Sequence, residues 1–439
     1  MRIQNVLFVL PGMLGIVAPA GAELKVSPLF SDGMVIQREV DAPVWGEAEP
    51  GEAITVCGSW GKEAETTADD KGRWSVRLTT PEAGGPFEIT VSGTTTIEIR
   101  DVLAGDVWLC AGQSNMAGNV GKREEAKEDN YPGIRHFTSA AATRRGKPKA
   151  AGATRWIATT PQTVQGFTAT GYFFGRHLHQ ELEVPIGLIK AAVGGSLIEP
   201  WTPPGTYDGA QGSLYDKHIS LLIPFAIKGA IWYQGEANSR SEALAASYAA
   251  HLQGMITAWR KNWGQGDFPF YYVQLPSIGS PDRVYFQVRE AMRRSLGSLP
   301  NLGMSVNIDI DEGLHPKSKH IMGPRLALLV LRDVYGKDLV ACGPLLKAVN
   351  IDGGRAVCTF TETGSGLVCR GERLAHFEIA GNDGEFVPAE ATIEGNTVSV
   401  SSDKVPEPKS VRYAWENNPH NVTLFNREGL PASPFRWGE

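Results

Sequence analysis

Asp106-Val-Trp-Leu-Cys-Ala-Gly-Gln-Ser-Asn-Met116 is the stretch whose reading decides the fold. Val107 to Ala111 form an apolar run of strand length, as expected of a strand buried on both faces. The run stops at Gly112-Gln113-Ser114. A small polar residue beside a glycine, just past the end of a buried strand, stands where open α/β sheets place their ligands. Ser114 is therefore a candidate nucleophile, although the same residues also suit an ordinary strand-ending turn.

Downstream of this strand, apolar runs alternate with helical periodicity. Strands are expected at 186–193, 227–233, 270–275 and 302–309, and helices at 168–182, 241–259, 284–296 and 319–335. The alternation predicts an α/β fold, a parallel, doubly wound sheet of about five strands. On either side the pattern is of short alternating strands separated by glycine turns such as Asp70-Lys-Gly72 and Gly381-Asn-Asp-Gly384. That spacing suits small β-sandwich-like domains. The expected division is a leader at 1–22, an N-terminal β domain at 23–101, the α/β domain at 102–345 and a C-terminal β domain at 346–439.

A chain of 439 residues is too long for one core, which agrees with several domains. The formal charge of −6, with no basic run, argues against nucleic acid as a partner. Arg2, the mostly apolar stretch from Val6 to Val17 and the Ala20-Gly21-Ala22 site read as a secretory signal. No later run reaches the ~18 apolar residues of a membrane span. The expectation is thus a secreted or periplasmic protein without a membrane span. The 5 cysteines are too few for a disulfide scaffold. Cys358 and Cys369 flank a turn, which leaves either a bridge across a hairpin or two buried thiols. No C-x-x-C or H-E-x-x-H spacing calls for a metal, and no cofactor is expected.

Four polar or glycine-rich clusters follow the C-terminal ends of strands: Ser114, Gly194-Gly195, Gln234-Gly235-Glu236, and Asp309 to His315. In a parallel sheet these ends share one edge, so the clusters converge on one crevice. A serine hydroxyl needs a base, and the base needs an orienting partner. The loop Asp309-Ile-Asp-Glu-Gly-Leu-His315 carries both residue types. His320 falls within the following helix and is a weaker candidate. Acyl transfer also requires donors for the oxyanion. The N–H of Ser114, the N–H of Gly194 or Gly195, and the Gln234 amide are candidates. Glu236 is either structural or part of the site. The G-x-S-x-G elbow of α/β-hydrolases is absent, because Met116 occupies its second glycine position.

Gly112-Gln-Ser-Asn-Met116, Gly194-Gly-Ser196, Ile231-Trp-Tyr-Gln-Gly-Glu-Ala-Asn238 and His315-Pro316 resemble the blocks of the sialate O-acetylesterases, a carbohydrate-esterase branch of the SGNH hydrolases. Ser31-Asp-Gly-Met-Val-Ile-Gln-Arg38 near the start and Gly429-Leu-Pro-Ala-Ser-Pro-Phe-Arg436 near the end extend the resemblance over nearly the whole chain. It implies a flavodoxin-like esterase domain between β domains, with Ser114 as nucleophile and His315 as base. Gly195 and Gln234 match the oxyanion positions, and Asn115 and Glu236 stand as substrate contacts. Many SGNH enzymes carry Asp three residues before the histidine, where this chain has Glu312. The sialate branch carries an Asp at the strand end instead, which matches Asp309 and makes it the favoured orienting acid. A β domain inserted after the Gly-Gly-Ser block in larger relatives is absent, since only a short segment, 201–216, follows here. The expected activity is removal of O-acetyl groups from sialic acid. The alternatives are a deacetylase of acetylxylan or another polysaccharide, and a non-catalytic carbohydrate-binding protein.

Overall fold

A computed structural model describes residues 23–139, 155–208 and 212–438. The expected leader, 1–22, lies outside these residues.

The organising strand, β1 (Thr96–Gly112), is 17 residues long. Its first half alternates between exposed and buried side chains, whereas every residue from Ala104 to Gly112 is buried. The two halves sit in different surroundings. The first pairs antiparallel with Gly84–Ser92 and then parallel with Val35–Gln37. The second is the centre of the parallel sheet. The expected boundary between 101 and 102 thus falls inside one continuous strand.

The remaining parallel strands are β2 (Ile134–Thr138), β3 (Ile186–Ala192), β4 (Gly229–Tyr233), β5 (Phe270–Val273) and β6 (Leu302–Ser305). Their order is β2-β3-β1-β4-β5-β6, with the short antiparallel Ile157–Ala158 on the β2 edge. Strand β2 adds to the five that periodicity predicts. Its residues Ile134-Arg-His-Phe-Thr138 mix charge with apolar character, so the run lacks the pattern of a buried strand.

The helices are α1 (Ser114–Ala117), α2 (Ala169–Leu182), α3 (Glu242–Trp263), α4 (Tyr285–Ser295) and α5 (Lys319–Asp333). Their ends are set by local chemistry. The Ser241 hydroxyl accepts from the Leu244 N–H to start α3, and Gly264, at φ 69°, ends it past the Trp259 expected from periodicity. Neighbouring strand residues point to opposite faces. On β5, the Tyr271 hydroxyl reaches Asp333 of α5, whereas the Tyr272 hydroxyl donates to the Met292 carbonyl of α4. Helices α2 and α5 accordingly pack together on one face and α3 and α4 on the other.

Antiparallel sheets flank this layer. Lys25–Val26, Asp41–Glu47 and Arg73–Thr79 form one on the N-terminal side. On the C-terminal side are two four-stranded sheets and a two-stranded one. Buried polar clamps join the parts. Asp106, fully buried at the start of the core half of β1, accepts from Arg38, Gln37 and the Tyr335 hydroxyl. Arg289 of α4, also fully buried, donates to the carbonyls of Leu275, Pro276, Glu416 and Asn417, which ties the C-terminal segment to the sheet.

The bridge considered between Cys358 and Cys369 is not formed, and all five cysteines are free thiols. Cys358 lies on a strand that pairs with Leu345–Asp352 and Thr397–Ser401, whereas Cys369 pairs across to Leu424 in another sheet. The two strands leave the intervening turn toward different partners. No helix among the described residues is long and apolar enough to cross a membrane.

Candidate active site

The C-terminal ends of β1, β3 and β4 lie level, with Gly112 aligned to Ala192 and Tyr233. Gly112 has φ 137°, and a side chain there would meet the Tyr233 carbonyl at 2.1 Å. Only glycine lets β1 turn out this close to β4. The chain then enters α1, where Asn115 and Met116, like Gln113 just before the helix, are buried while Ser114 is half-exposed. The turn thus presents one hydroxyl to solvent and sinks its neighbours.

His315 completes the pair. Its Nε2 lies 2.9 Å from the Ser114 Oγ. With the ring proton on Nδ1, the hydroxyl donates to Nε2, the geometry needed for general-base activation. Desolvation by the surrounding loops and the nearby Lys319 ammonium both push the imidazole below its ordinary pKa, which favours the neutral, proton-accepting form.

Neither candidate acid orients this base. Asp309 is held by a two-pronged ion pair with Arg325 of α5, at 2.7 Å on each oxygen. Glu312 accepts from the N–H groups of Lys317 and Ser318 and from the Ser318 hydroxyl, at 2.6, 2.9 and 2.6 Å. Burial works against the Glu312 charge, but these hydrogen bonds outweigh it and hold the carboxyl below its usual range. Each acid satisfies donors of its own loop and helix end before it can reach the ring. Among the described residues, no carboxylate contacts His315. His320 faces away, with Nδ1 3.2 Å from Glu125.

The oxyanion donors also differ from expectation. Gln234 is fully buried, and its amide nitrogen donates to the Ser196 carbonyl and the Asn238 Oδ1 at 3.1 and 2.7 Å. A buried amide must satisfy both its donors, and these acceptors do so. Gln234 therefore braces the turn at 194–196 and does not face the crevice. Gly194 lies against the nucleophile, since a side chain there would begin 3.7 Å from the Ser114 Cβ. Gly195 follows at φ 75°. The N–H groups of Ser114, Gly194 and Gly195 have no acceptor among the described residues. They are the donors left for a developing oxyanion.

Asn115 and Glu236, expected as substrate contacts, are 2% and 3% exposed and lie beneath the nucleophile. The Asn115 amide donates to Glu236 and to the Leu314 carbonyl. Its oxygen accepts from the Lys319 Nζ at 2.7 Å. Sequence reasoning missed Lys319, because a lysine opening a helix reads as a solvated residue. Arg240 was missed as well. It is exposed and has no ion pair among the described residues, and its Nη2 stands 3.9 Å from where a Gly195 side chain would begin.

A profile of the family described as carbohydrate esterase, sialic acid-specific acetylesterase, matches residues 104–330. The sialate O-acetylesterase of Homo sapiens is 28% identical, with 97% of each chain covered. That of Mus musculus is 27% identical, covering 76% of this chain and 77% of its own. Among solved structures, a carbohydrate acetylesterase from Xanthomonas citri superposes with a TM-score of 0.86 at 38% identity, covering 94% of this chain and 99% of its own.

Proposed function

The chain belongs to the sialic acid-specific acetylesterase family of carbohydrate esterases, and from that premise we propose that it hydrolyses the O-acetyl ester of 9-O-acetylated sialic acid through an acyl-serine on Ser114. The observation that carries the mechanism is the 2.9 Å contact between Ser114 Oγ and His315 Nε2. His315 takes the hydroxyl proton as Ser114 attacks the acetyl carbonyl. The N–H groups of Ser114 and of the Gly194-Gly195 turn receive the oxyanion. The imidazolium then protonates the departing sugar oxygen, and a water activated by the same ring releases acetate. Arg240 favours an acidic sugar, because a guanidinium with no ion pair among the described residues, beside the Gly195 turn, can hold a carboxylate.

A second reading, a deacetylase of acetylxylan or another polysaccharide, rests on the openness of the rim. His315 is exposed, and the adjacent Leu314 is 40% exposed, so a chain can lie across the site. The flanking sheets are read as sandwich-like β domains, and the signal-like leader as placing the mature protein outside the cytoplasm.

Acetate release from 9-O-acetylated sialic acid and from acetylated xylan, measured side by side, tests the proposal. Ser114→Ala is expected to lower kcat by at least about 10,000-fold with an unchanged melting temperature. Serine-dependent release from xylan alone moves the substrate to polysaccharide. Full activity in Ser114→Ala overturns the mechanism.

A further inference from the structure

We infer that a buried unit of Asn115, Glu236 and Lys319 positions His315 in this enzyme, in the place where a serine hydrolase ordinarily uses a carboxylate on the ring. This builds on the Ser114–His315 reading above and concerns what holds the base.

Two observations converge. The ring has no carboxylate partner among the described residues, since Asp309 and Glu312 are committed to Arg325 and to the start of α5. A base left on a loop without any anchor would not hold a 2.9 Å contact. The anchor is one residue away on both sides. Asn115, next to the nucleophile, donates to the carbonyl of Leu314, next to the base, at 2.9 Å. This bond locks the backbone of the His315 loop to the backbone of the Ser114 turn.

The rest of the unit holds that amide. The Asn115 Nδ2 also donates to the Glu236 Oε1, and the Asn115 Oδ1 accepts from Lys319. Both partners of the amide are thus fixed from below, and it cannot flip without breaking both contacts. Lys319 is 3% exposed, and its Nζ lies 4.7 Å from the centre of the Tyr233 ring. A buried amine and a buried carboxyl are costly and persist only where they are paired and hydrogen-bonded. The second oxygen of Glu236 has no hydrogen-bond partner among the described residues, an uncommon state for a buried carboxyl.

The unit also acts on the ring electrostatically. Lys319 is the charged group that faces His315. Glu236, Arg123 and Glu312 face Lys319 in turn, and Arg283 and Lys319 face Glu236. Burial lowers the Lys319 ammonium to about 7, with Glu236 pulling the other way. Below that pH the amine is charged and opposes a second positive charge on the ring. The neutral form of the base is thereby favoured, whereas an orienting carboxylate would instead favour its protonation.

The test is an NMR titration of the His315 ring in the full chain, independent of turnover, beside kcat and KM on a simple acetyl ester. The variants are Lys319→Met, which removes charge and hydrogen bond, and Lys319→Gln, which keeps a donor for Asn115. The His315 midpoint is expected to rise in both. The kcat is expected to fall at least tenfold in Lys319→Met with little change in KM, and to recover in part in Lys319→Gln. Asp309→Asn and Glu312→Gln are expected to leave the His315 midpoint in place. Should Lys319→Met fail to fold, the Lys319→Gln titration decides alone. An unmoved midpoint in the lysine variants, or a lowered one in either acid variant, overturns the inference. Because the titration needs no substrate, it also separates this outcome from a failure of the proposed activity.

Discussion

At the site, each side chain's role follows from which partner reaches it first. Asp309 and Glu312 were the plausible orienting acids by their closeness in sequence to His315. Hydrogen-bond geometry overrides that closeness, because Arg325 presents two donors to Asp309 at 2.7 Å. The acid side of the pH profile follows from the base itself. A protonated ring cannot accept the Ser114 proton, so kcat/KM falls as the pH drops through the His315 midpoint. Burial and Lys319 place that midpoint below the ordinary 6.5. A pH profile of ester hydrolysis checks this, and a midpoint above 6.5 contradicts it. Arg240 yields a second expectation at this scale. Arg240→Ala is expected to raise KM for the acetylated sialic acid about tenfold, the worth of one charge-assisted hydrogen bond. Its KM for neutral acetylated xylan should not change. An equal effect on both substrates removes Arg240 from carboxylate recognition.

Among the elements, helix α5 connects the site to the fold, since it carries Lys319 at its start and Arg325 two turns on. It lies close against α2 at Gly323, where a Cβ would meet the Phe174 nitrogen at 2.6 Å and the Phe173 Cβ at 2.7 Å. These contacts are backbone and Cβ atoms, so they cannot swing aside. Gly323→Val is therefore expected to cost about 1–3 kcal/mol as overpacking, read as a lower urea midpoint. It should also reduce kcat, because the shift is passed along α5 to Lys319. Stability and activity both at wild-type level would show that the two helices yield at this point. The ends of α3 illustrate how elements are specified. Ser241 and Gly264 cap it, and the helix runs past Trp259 because nothing breaks it before that glycine.

For the whole molecule, β1 carries Gly84–Ser92 and Val35–Gln37 on its first half and the parallel sheet on its second, and the clamp at Asp106 sits where they join. Asp106→Ala leaves Arg38, Gln37 and Tyr335 without their common acceptor. A loss of about 3–5 kcal/mol is expected, as for breaking one side of a buried pair. Thermal unfolding checks it, and a melting temperature near wild type would show that water or neighbouring carbonyls replace the carboxylate. Much of this scale was legible in advance. The mostly apolar runs at the ends of β1, β3 and β4 and the turns after them announce a parallel sheet with a crevice at its C-terminal edge, because strand burial and strand ends are local in sequence. Ser114 was legible for the same reason, standing just past the end of β1, and His315 from the acid-rich loop that follows β6.

The sequence by itself therefore determined the alternation of strands and helices, the sheet edge at which the candidate residues gather, and the two residues that meet there. Only the tertiary structure decided what supports them. Glu236 and Lys319 approach Asn115 from the turn after β4 and from α5, across separations of 121 and 204 residues. Gln234 turns away to satisfy Ser196 and Asn238, and Cys358 and Cys369 diverge into separate sheets. Periodicity reports whether a residue is buried. The partner that a buried polar group finds depends on which loops the folded sheet brings within about 3 Å of it.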